Sequence, residues 1–255
     1  SINNAMNYAN AALQIAQNLN FKKGIANSYS CIGHIYYLQD NYIKTIEYWL
    51  KALNIAEELK DKRTIGTRSG NLGMVYDNQG NYPKALECYL KALRIGEELN
   101  DKSEIARNLG NIGILYREQS NYSKALECYL KALKIREELN DKSEIARIIG
   151  HIGAMYGLQG NYQKAFDYLF KALKMDEEAG NQSLLARDLG NIGSFYNRQG
   201  DYSKSLDYYL KALNIYEQLG DKNNIAIVLD NIGDLYISVL KYSEAEKYLL
   251  RALEI

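Results

Sequence analysis

Arginine and asparagine recur along this chain at a fixed spacing, and both side chains can bind parts of a peptide. Arg107, Arg147 and Arg187 stand forty residues apart. A guanidinium group binds a carboxylate through two parallel hydrogen bonds, so such a row favours an acidic ligand. An asparagine amide can bond both the N–H and the C=O of a peptide backbone. A second row with the same spacing consists of Asn71, Asn111, His151, Asn191 and Asn231.

The residue types that carry catalysis are few, and they do not form a recognisable site. Cys31 and His34 lie nearly one helical turn apart, but a nucleophilic pair also needs an orienting group and an oxyanion site. Glu137 and Glu138 have copies near the end of other helices, as expected of a solvated face. No glycine-rich phosphate loop is present, and the cysteines and histidines lack metal-binding spacing. We therefore predict no enzyme activity, no cofactor and no metal site.

The forty-residue spacing extends through the whole chain and identifies an internal repeat. Glycine occupies one phase of six successive copies, and tyrosine occupies the phase three residues later. Self-similarity at a fixed period of this length is typical of stacked repeat arrays. The glycines are Gly33, Gly73, Gly113, Gly153, Gly193 and Gly233, and the tyrosines are Tyr36, Tyr76, Tyr116, Tyr156, Tyr196 and Tyr236.

Apolar residues at steps of three and four predict two helices in each copy. Asp101 is expected to cap the first helix, with Glu104 completing a capping box, and Asn121 is expected to cap the second. Gly80 and its equivalents suit the left-handed turn between helices, and Pro83 suits a first turn. The predicted stripes are Ile105, Leu109, Ile112 and Tyr116, then Tyr122, Leu126, Tyr129, Leu130 and Leu133.

Glycine inside a helix needs a packing reason, because it costs roughly 1 kcal/mol relative to alanine. We expect the paired helices to approach closely at Gly113 and its copies, with rings of the Tyr116 type filling the space beside them. Trp49 shares the phase of Tyr89, so we expect it in the core. Buried, apolar surroundings are also predicted for Cys31, Cys88 and Cys128.

These features together resemble the tetratricopeptide repeat (TPR) family, whose pattern is W-x2-L-G-x2-Y followed by alanines and an aromatic residue. The longer, forty-residue form is similar to repeats of the LGN/Pins type and to TPR regions of bacterial signalling proteins. The resemblance implies an all-α fold, a right-handed superhelical α-solenoid of antiparallel helix pairs. The residues that carry it in one copy are Leu72, Gly73, Tyr76, Gly80, Tyr82, Ala85, Tyr89 and Ala92.

We predict a single array over residues 1–255. Residues 1–20 align with the second helix of a partial repeat, and full repeats cover 21–60, 61–100, 101–140, 141–180, 181–220 and 221–255. A terminal repeat normally has a polar cap, and none is recognisable at either end. We therefore expect either a piece of a longer protein or end-to-end stacking on another copy.

The resemblance also implies which residues face the concave groove of the array. In TPR proteins the positions six and two residues before the marker glycine tend to face that groove. Here they include Arg107, Arg147, Arg187, Asn71, Asn111, His151, Asn191 and Asn231.

These positions predict binding of an extended, acidic peptide, but two alternatives stay open. The arginines could pair with an acidic residue of an adjacent helix, such as Glu104 or Asp188. The asparagines could instead bond backbone groups between repeats. The small residues on the same face either leave room for a peptide backbone or allow tight helix packing; they are Gly70, Gly110, Gly150 and Gly190.

Composition narrows the class of partner. The 31 basic residues balance the 31 acidic residues, so the net charge argues against nucleic acid or an anionic membrane as the general partner. No apolar run is long enough to span a bilayer. The odd count of three cysteines argues against a disulfide framework and predicts a reducing, cytoplasmic location. We predict a non-catalytic scaffold for a peptide or partner protein. The alternative is a sensor or regulatory module of a larger signalling enzyme, such as a kinase, a cyclase or a caspase-like protease.

Overall fold

The computed structural model describes residues 2–255, and this range contains thirteen α-helices and no strand. The all-α prediction is therefore confirmed for the described chain. The helices are α1 (Ile2–Asn18), α2 (Lys22–Tyr37), α3 (Tyr42–Glu58), α4 (Lys62–Asn78), α5 (Tyr82–Glu98), α6 (Lys102–Glu118), α7 (Tyr122–Glu138), α8 (Lys142–Leu158), α9 (Tyr162–Ala179), α10 (Gln182–Arg198), α11 (Tyr202–Leu219), α12 (Lys222–Ser238) and α13 (Tyr242–Leu253).

The helices belong to two compact units, Ser1–Ile135 and Arg136–Ile255, which we call unit 1 and unit 2 and describe separately. Each predicted forty-residue repeat contributes one helix pair, α2 with α3, α4 with α5, and so on to α12 with α13. We call the first member of a pair a first helix and the second member a second helix. That the whole chain works as a single array stays a prediction.

Acidic and amide side chains set the starts of most helices. Asp101 Oδ1 accepts the Glu104 N–H at 3.2 Å, and Asn121 Oδ1 accepts the Lys124 N–H at 3.3 Å. Each bond satisfies one of the donors that a helix start leaves unpaired. The reciprocal half of the predicted capping box is wrong, because the Glu104 carboxylate pairs with Arg107 at 2.5 Å instead. Pro83 lies in the first turn of α5, as predicted.

A residue with a left-handed backbone conformation follows every helix except the last. These residues fall at every twentieth position. All twelve residues at positions 20, 40 and so on to 240 have φ between 48° and 80°. Gly80, Gly160 and Gly200 are among them, as predicted. Only glycine adopts this conformation without strain, so the exposed Leu240, with φ 60°, is the least suited side chain of the series.

The marker glycines lie where a second helix presses a large side chain against a first helix. A methyl group built on Gly73 would lie 2.7 Å from two ring carbons of Tyr89, and one on Gly193 would lie 2.8 Å from the ring of Tyr209. Trp49 covers Gly33 in the same way and is 2% exposed, so its core position is confirmed. Close helix approach therefore explains these glycines.

Rings of the Tyr116 type are predicted to fill the space beside these glycines, but the nearest atoms belong to side chains of the second helix, and in four pairs the first-helix ring stacks on another tyrosine. The centroids of Tyr156 and Tyr168 are 5.6 Å apart, and those of Tyr196 and Tyr208 are also 5.6 Å apart. Tyr116 itself lies under Lys124, whose Nζ is 5.3 Å from the ring centroid. This distance is typical of a cation–π contact.

Small residues complete the core and bring the first helices together. Ala125 and Ala132 are fully buried, whereas Leu130 of the predicted apolar stripe is 41% exposed. Several consecutive first helices contact each other: α4 with α6 in unit 1, and α8 with α10 and α10 with α12 in unit 2. Among the described residues, no comparable contact joins α3 with α5 or α9 with α11. Helices α4 and α6 of unit 1, and helices α8, α10 and α12 of unit 2, therefore each form a continuous wall.

Candidate functional site

The wall of first helices carries the side chains that the sequence singled out, and we call it the first-helix face of each unit. In unit 1 it includes Asn71 of α4 together with Arg107 and Asn111 of α6. In unit 2 it lies on α8, α10 and α12 and includes Arg147, His151, Arg187, Asn191 and Asn231. The structure therefore brings these residues onto neighbouring helices of each unit, as the repeat predicts.

Each arginine of this face already has an acidic partner from its own helix. Arg107 Nη2 lies 2.5 Å from Glu104, and Arg147 contacts Glu144 through Nε at 3.1 Å and Nη2 at 2.6 Å. Arg187 Nε donates to Asp188 Oδ1 at 2.8 Å. Pairing with Glu104 and Asp188 was the alternative left open by the sequence, but the acid comes from the same helix and not from an adjacent one.

The three arginine side chains are partly accessible, although Arg107 Nε and Arg187 Nη2 are buried and have no hydrogen-bond acceptor among the described residues. The exposed fractions of the Arg107, Arg147 and Arg187 side chains are 35%, 28% and 25%. The Arg147 guanidinium holds the pKa of Glu144 below its usual value. A ligand carboxylate would therefore have to compete with a carboxylate that is already bound.

The small residues on the face have two different roles. A methyl group on Gly150 would lie 2.5 Å from Asp188 Oδ2, and one on Gly70 would lie 3.2 Å from Arg107 Nη2. Side chains of the next first helix thus fill the space over these two glycines: Arg187 and Asp188 over Gly150, and Asn108 and Arg107 over Gly70. Gly190 differs, because nothing lies within 4 Å of such a methyl group. Of the three glycines compared, Gly190 is the one with open room of the kind that a peptide backbone would need.

The asparagines of the face are half-buried and keep their amide groups available. Within residues 2–255 the side chains of Asn71, Asn111, Asn191 and Asn231 make no hydrogen bond. Bonding of backbone groups between repeats, the alternative considered from the sequence, is therefore not what these amides do. His151 shares their phase but is only 9% exposed, so it offers little surface to a ligand.

A buried acidic pair in unit 2 was not found from the sequence. Asp176 of α9 and Asp188 of α10 are both fully buried. Burial, followed by the charge of Asp188, raises the pKa of Asp176 to about 6, and burial also raises the pKa of Asp188. The available signal was position: Asp176 occupies a phase that holds Ala56 and Gly96 in earlier repeats.

The same phase holds a buried arginine one repeat earlier. Arg136 Nη1 lies 3.2 Å from Asp141 Oδ2, and Arg136 Nη2 lies 3.9 Å from Glu144 Oε2. Arg136 is 7% exposed. Charged groups at this phase therefore lie beneath the first turn of the next first helix, where they affect stability more than binding.

A cleft at the start of unit 1 is the second feature that the sequence did not reveal. It measures about 780 Å³ and is lined by residues of α1, α2, α3 and α4, including Cys31, His34, Trp49 and Arg68. Cys31 is exposed, so the prediction that it is buried is wrong. Its phase faces the cleft, whereas Cys88 and Cys128 are half-buried on second helices and burial raises their pKa values.

The described residues provide no further chemistry of the kinds considered. No group of three or more histidine, cysteine or acidic side chains in residues 2–255 is placed to hold a metal ion. His34 stacks on Tyr37 with ring centroids 6.3 Å apart. No helix of the described chain combines the length and apolar character needed to cross a membrane.

Comparison with known proteins gives a family and a set of similar folds. The tetratricopeptide repeat profile matches residues 24–98, 63–138, 104–178 and 184–255. Curated protein sequences contain no match. The crystal structure of the apo form of RapI is similar with a TM-score of 0.85 and 19% identity, covering 100% of this chain and 91% of that chain.

Two further solved structures share the fold. A Rap protein complexed with competence and sporulation factor has a TM-score of 0.73 and 18% identity, and the match covers 98% of this chain and 68% of that chain. A signal transduction ATPase with numerous domains and a tetratricopeptide repeat sensor, from Pyrococcus horikoshii, has a TM-score of 0.67 and 21% identity, with 95% and 40% covered. Because its profile matches span most of the sequence and its helix pairs repeat in register, this chain belongs to the tetratricopeptide repeat family.

Proposed function

We propose that this chain is a non-catalytic scaffold that binds an extended peptide, or an extended segment of a partner protein, on the first-helix face. The observation that carries this proposal is that the first-helix face of each unit has two asparagine amides on contacting helices that make no hydrogen bond within residues 2–255. Each amide offers one acceptor and two donors, which match the N–H and C=O groups of a peptide backbone. Such a pair holds an extended segment with little dependence on its side chains.

The environment of the asparagines supports this use. They lie on helices that contact each other within each unit, so neighbouring amides are held at a fixed spacing. Their half-buried position limits the rotamer freedom that binding would remove. Among the similar folds, a Rap protein has been crystallised with competence and sporulation factor, which makes ligand binding by a related helix array a relevant precedent.

An acidic preference is the finer part of the proposal. Arg107, Arg147 and Arg187 line the same face and would attract a ligand carboxylate. Each already pairs with an acid. For the partly exposed pairs of Arg107 and Arg147, exchanging one carboxylate for another adds little free energy beyond the 0 to about 1 kcal/mol typical of exposed ion pairs. Arg187 could leave the buried Asp188 only at a larger cost. We therefore expect the asparagines to dominate affinity, while these arginines bias the choice of sequence.

A peptide selection tests the proposal directly. A random peptide library is displayed, selected on the complete chain, and the selected peptides are titrated by isothermal calorimetry. In the test variant Asn71, Asn111, Asn191 and Asn231 are all replaced by alanine. We expect at least about a tenfold loss of affinity, because each lost backbone hydrogen bond contributes about 1 kcal/mol.

The matched control replaces Asn54 and Asn214, two exposed asparagines on second helices, by alanine. This control should bind the selected peptides as tightly as the unmodified chain. Equal affinity for the fourfold variant would contradict the proposal, and so would a selection that yields no specific peptide. Circular dichroism should give the same helical content for all three proteins.

A sensor or regulatory role in a larger signalling enzyme is the second candidate. The observation that favours it is the match to the tetratricopeptide repeat sensor from Pyrococcus horikoshii, of which the aligned part covers 40%. There the similar fold is one section of a longer chain. Sequencing the gene on both sides of the region encoding residues 1–255 separates the candidates, because this role requires an adjoining kinase, cyclase, protease or comparable domain.

Two smaller parts of the proposal concern assembly and location. Leu250 and Leu253 of α13 are exposed, and they would be covered by end-to-end stacking on a second copy. Light scattering at high protein concentration tests this, and a strict monomer would contradict it. The three cysteines are free, which supports a reducing cytoplasmic location.

A further inference from the structure

Arg68 of α4 lacks the acidic partner that the three arginines of the first-helix face have. Ile65 stands three residues before it and Ser69 directly after it, so neither position supplies a carboxylate. Asp61, which caps the start of the same helix, is engaged with Thr64, through the Thr64 N–H at 3.1 Å and its hydroxyl at 2.8 Å. Within the described chain no carboxylate pairs with Arg68, and its Nε is buried without a hydrogen-bond acceptor.

This guanidinium lines the cleft of unit 1. The cleft measures about 780 Å³, which is within the range of specific ligand sites. Ala9 and Ala12 of α1 and Ile35 of α2 give it an apolar wall, and Asn71 lies beside Arg68 on α4. Asn71 is one of the four asparagines that carry the proposed function.

The chemistry of the cleft selects the charge and the shape of its ligand. Burial lowers the pKa of Arg68, because the charged guanidinium has lost solvent without gaining a counter-ion. A carboxylate would replace that solvent through two parallel hydrogen bonds. The alanines leave space that a large apolar side chain would fill, and Tyr8 adds an exposed aromatic ring.

We infer that Arg68 is the carboxylate-binding residue of unit 1, and that the cleft takes a peptide segment in which a carboxylate stands next to a large apolar side chain. The inference rests on the proposed function, because Asn71 would hold the backbone of the same segment. It adds that the main charge recognition in unit 1 comes from Arg68, because the ion pair of Arg107 with Glu104 leaves that arginine only a weak bias.

A titration of selected peptides tests this assignment. Each peptide from the library selection is made in two forms, with its acidic residue as glutamate or as glutamine. The forms are titrated into the unmodified chain, into Arg68→Met and into Arg107→Met. Trp49 is the sole tryptophan, lines the cleft and donates its indole N–H to the Ser30 carbonyl at 3.1 Å, so its emission reports occupation of the cleft.

We expect the unmodified chain to prefer the glutamate form by at least about tenfold, as for a hydrogen-bonded charge. Arg68→Met should abolish that preference, and Arg107→Met should keep it. Thermal unfolding of Arg68→Met should occur at the same or a higher temperature, because the substitution removes an unpaired buried charge. Peptides with free and amidated C-termini then show whether the carboxylate comes from a side chain or from the chain terminus.

Three results would overturn the inference. The first is an equal glutamate preference in Arg68→Met and in the unmodified chain. The second is binding that leaves the Trp49 emission unchanged. The third is selection of peptides without any carboxylate. If the peptides still require Asn71 and Asn111, the proposed function survives while this inference fails; if no peptide binds at all, both fail.

Discussion

The partner of each arginine on the first-helix face is decided by the residues next to it on its own helix. Arg107 and Arg147 have a glutamate three residues earlier, which an arginine reaches across one helical turn. Arg187 has an aspartate as its next residue. Arg68 has Ile65 and Ser69 at these places and stays without an acid. A single local difference therefore separates a structural ion pair from a guanidinium that can bind a ligand.

The buried aspartates of unit 2 show a different situation, in which too few hydrogen bonds and positive charges stabilise the buried carboxylates. Both carboxylates are fully buried, and Asp176 has no hydrogen-bond partner for either side-chain oxygen. Its pKa rises from 3.8 to about 6, so between these pH values the folded chain binds more protons than the unfolded chain. The free energy of unfolding therefore falls as the pH rises from about 4 to about 6.

Replacing this carboxylate should remove the effect. We expect Asp176→Asn to increase the free energy of unfolding by about 2 kcal/mol at neutral pH, and by much less near pH 4, where Asp176 is protonated in the folded chain. Urea denaturation across this pH range measures the difference between the variant and the unmodified chain. Asp167→Asn, an exposed change on the same helix, is the control. A difference that does not change with pH would contradict the assignment.

At the scale of secondary-structure elements, the chain repeats one motif: a helix of about seventeen residues followed by a short turn that contains one residue with a left-handed backbone. Each first helix from α2 to α12 also has a glycine where a large side chain of the second helix packs, and this requirement can be separated from the helix preference of the residue. Gly190 and Gly193 both lie inside α10. They differ only in what stands above them, since Tyr209 covers Gly193 while the space over Gly190 is open.

Alanine at these two positions should have opposite effects. Gly193→Ala is expected to lower the free energy of unfolding by roughly 1–3 kcal/mol, because the added methyl group meets the buried ring of Tyr209 at 2.8 Å. Gly190→Ala is expected to raise it by up to about 1 kcal/mol through helix preference alone. Denaturant unfolding of both variants decides the point. Stabilisation by both changes would disprove the packing explanation.

The turn residues allow a second prediction at this scale. Leu240→Gly should raise the free energy of unfolding by roughly 1 kcal/mol, because an exposed leucine is held at φ 60° with little packing to lose. The reverse type of change, Gly200→Ala at φ 80°, should lower it by a similar amount. Thermal unfolding of the two variants provides the measurement, and shifts of the same sign would refute the interpretation.

Sequence periodicity predicted the elements well, because caps, turns and glycines depend on local rules. The caps at Asp101 and Asn121 and the turn at Gly80 follow from residue type and phase. Periodicity could not predict which ring covers a glycine, since both tyrosine phases are apolar and only three-dimensional packing separates them. It also placed the three arginines on one face but did not show that each guanidinium pairs with an acidic residue of its own helix.

The cleft and the buried aspartates escaped prediction for a different reason. Both arise where one repeat departs from the others, and a repeat pattern gives the average residue at each phase. Arg68 shares its phase with Asn108 and Asp188, and Asp176 shares its phase with Ala56. Departures of this kind mark positions where one copy has acquired a property that its neighbours lack. Comparison of copies within the chain is therefore the signal that could have found them.

At the scale of the whole molecule, balanced charge limits the class of partner. The 31 basic and 31 acidic side chains cancel, and many basic groups are tied to carboxylates of their own or a neighbouring helix. We expect no binding of single-stranded RNA tighter than about 0.1 mM at physiological salt, because few cations are free to replace condensed counter-ions. Fluorescence anisotropy with a labelled oligonucleotide measures this. Tight, salt-sensitive binding would contradict the peptide-scaffold proposal.

The left-handed residue at every twentieth position has a consequence for how such a protein changes over generations. Two adjacent copies share the stretches ALECYLKAL and EELNDKSEIAR, so their coding sequences offer matching sites for unequal recombination. An exchange between those sites adds or removes forty codons, and every remaining pair of consecutive helices keeps a turn with a left-handed residue. The gene can therefore gain or lose one repeat in a single event, and no new turn sequence has to arise.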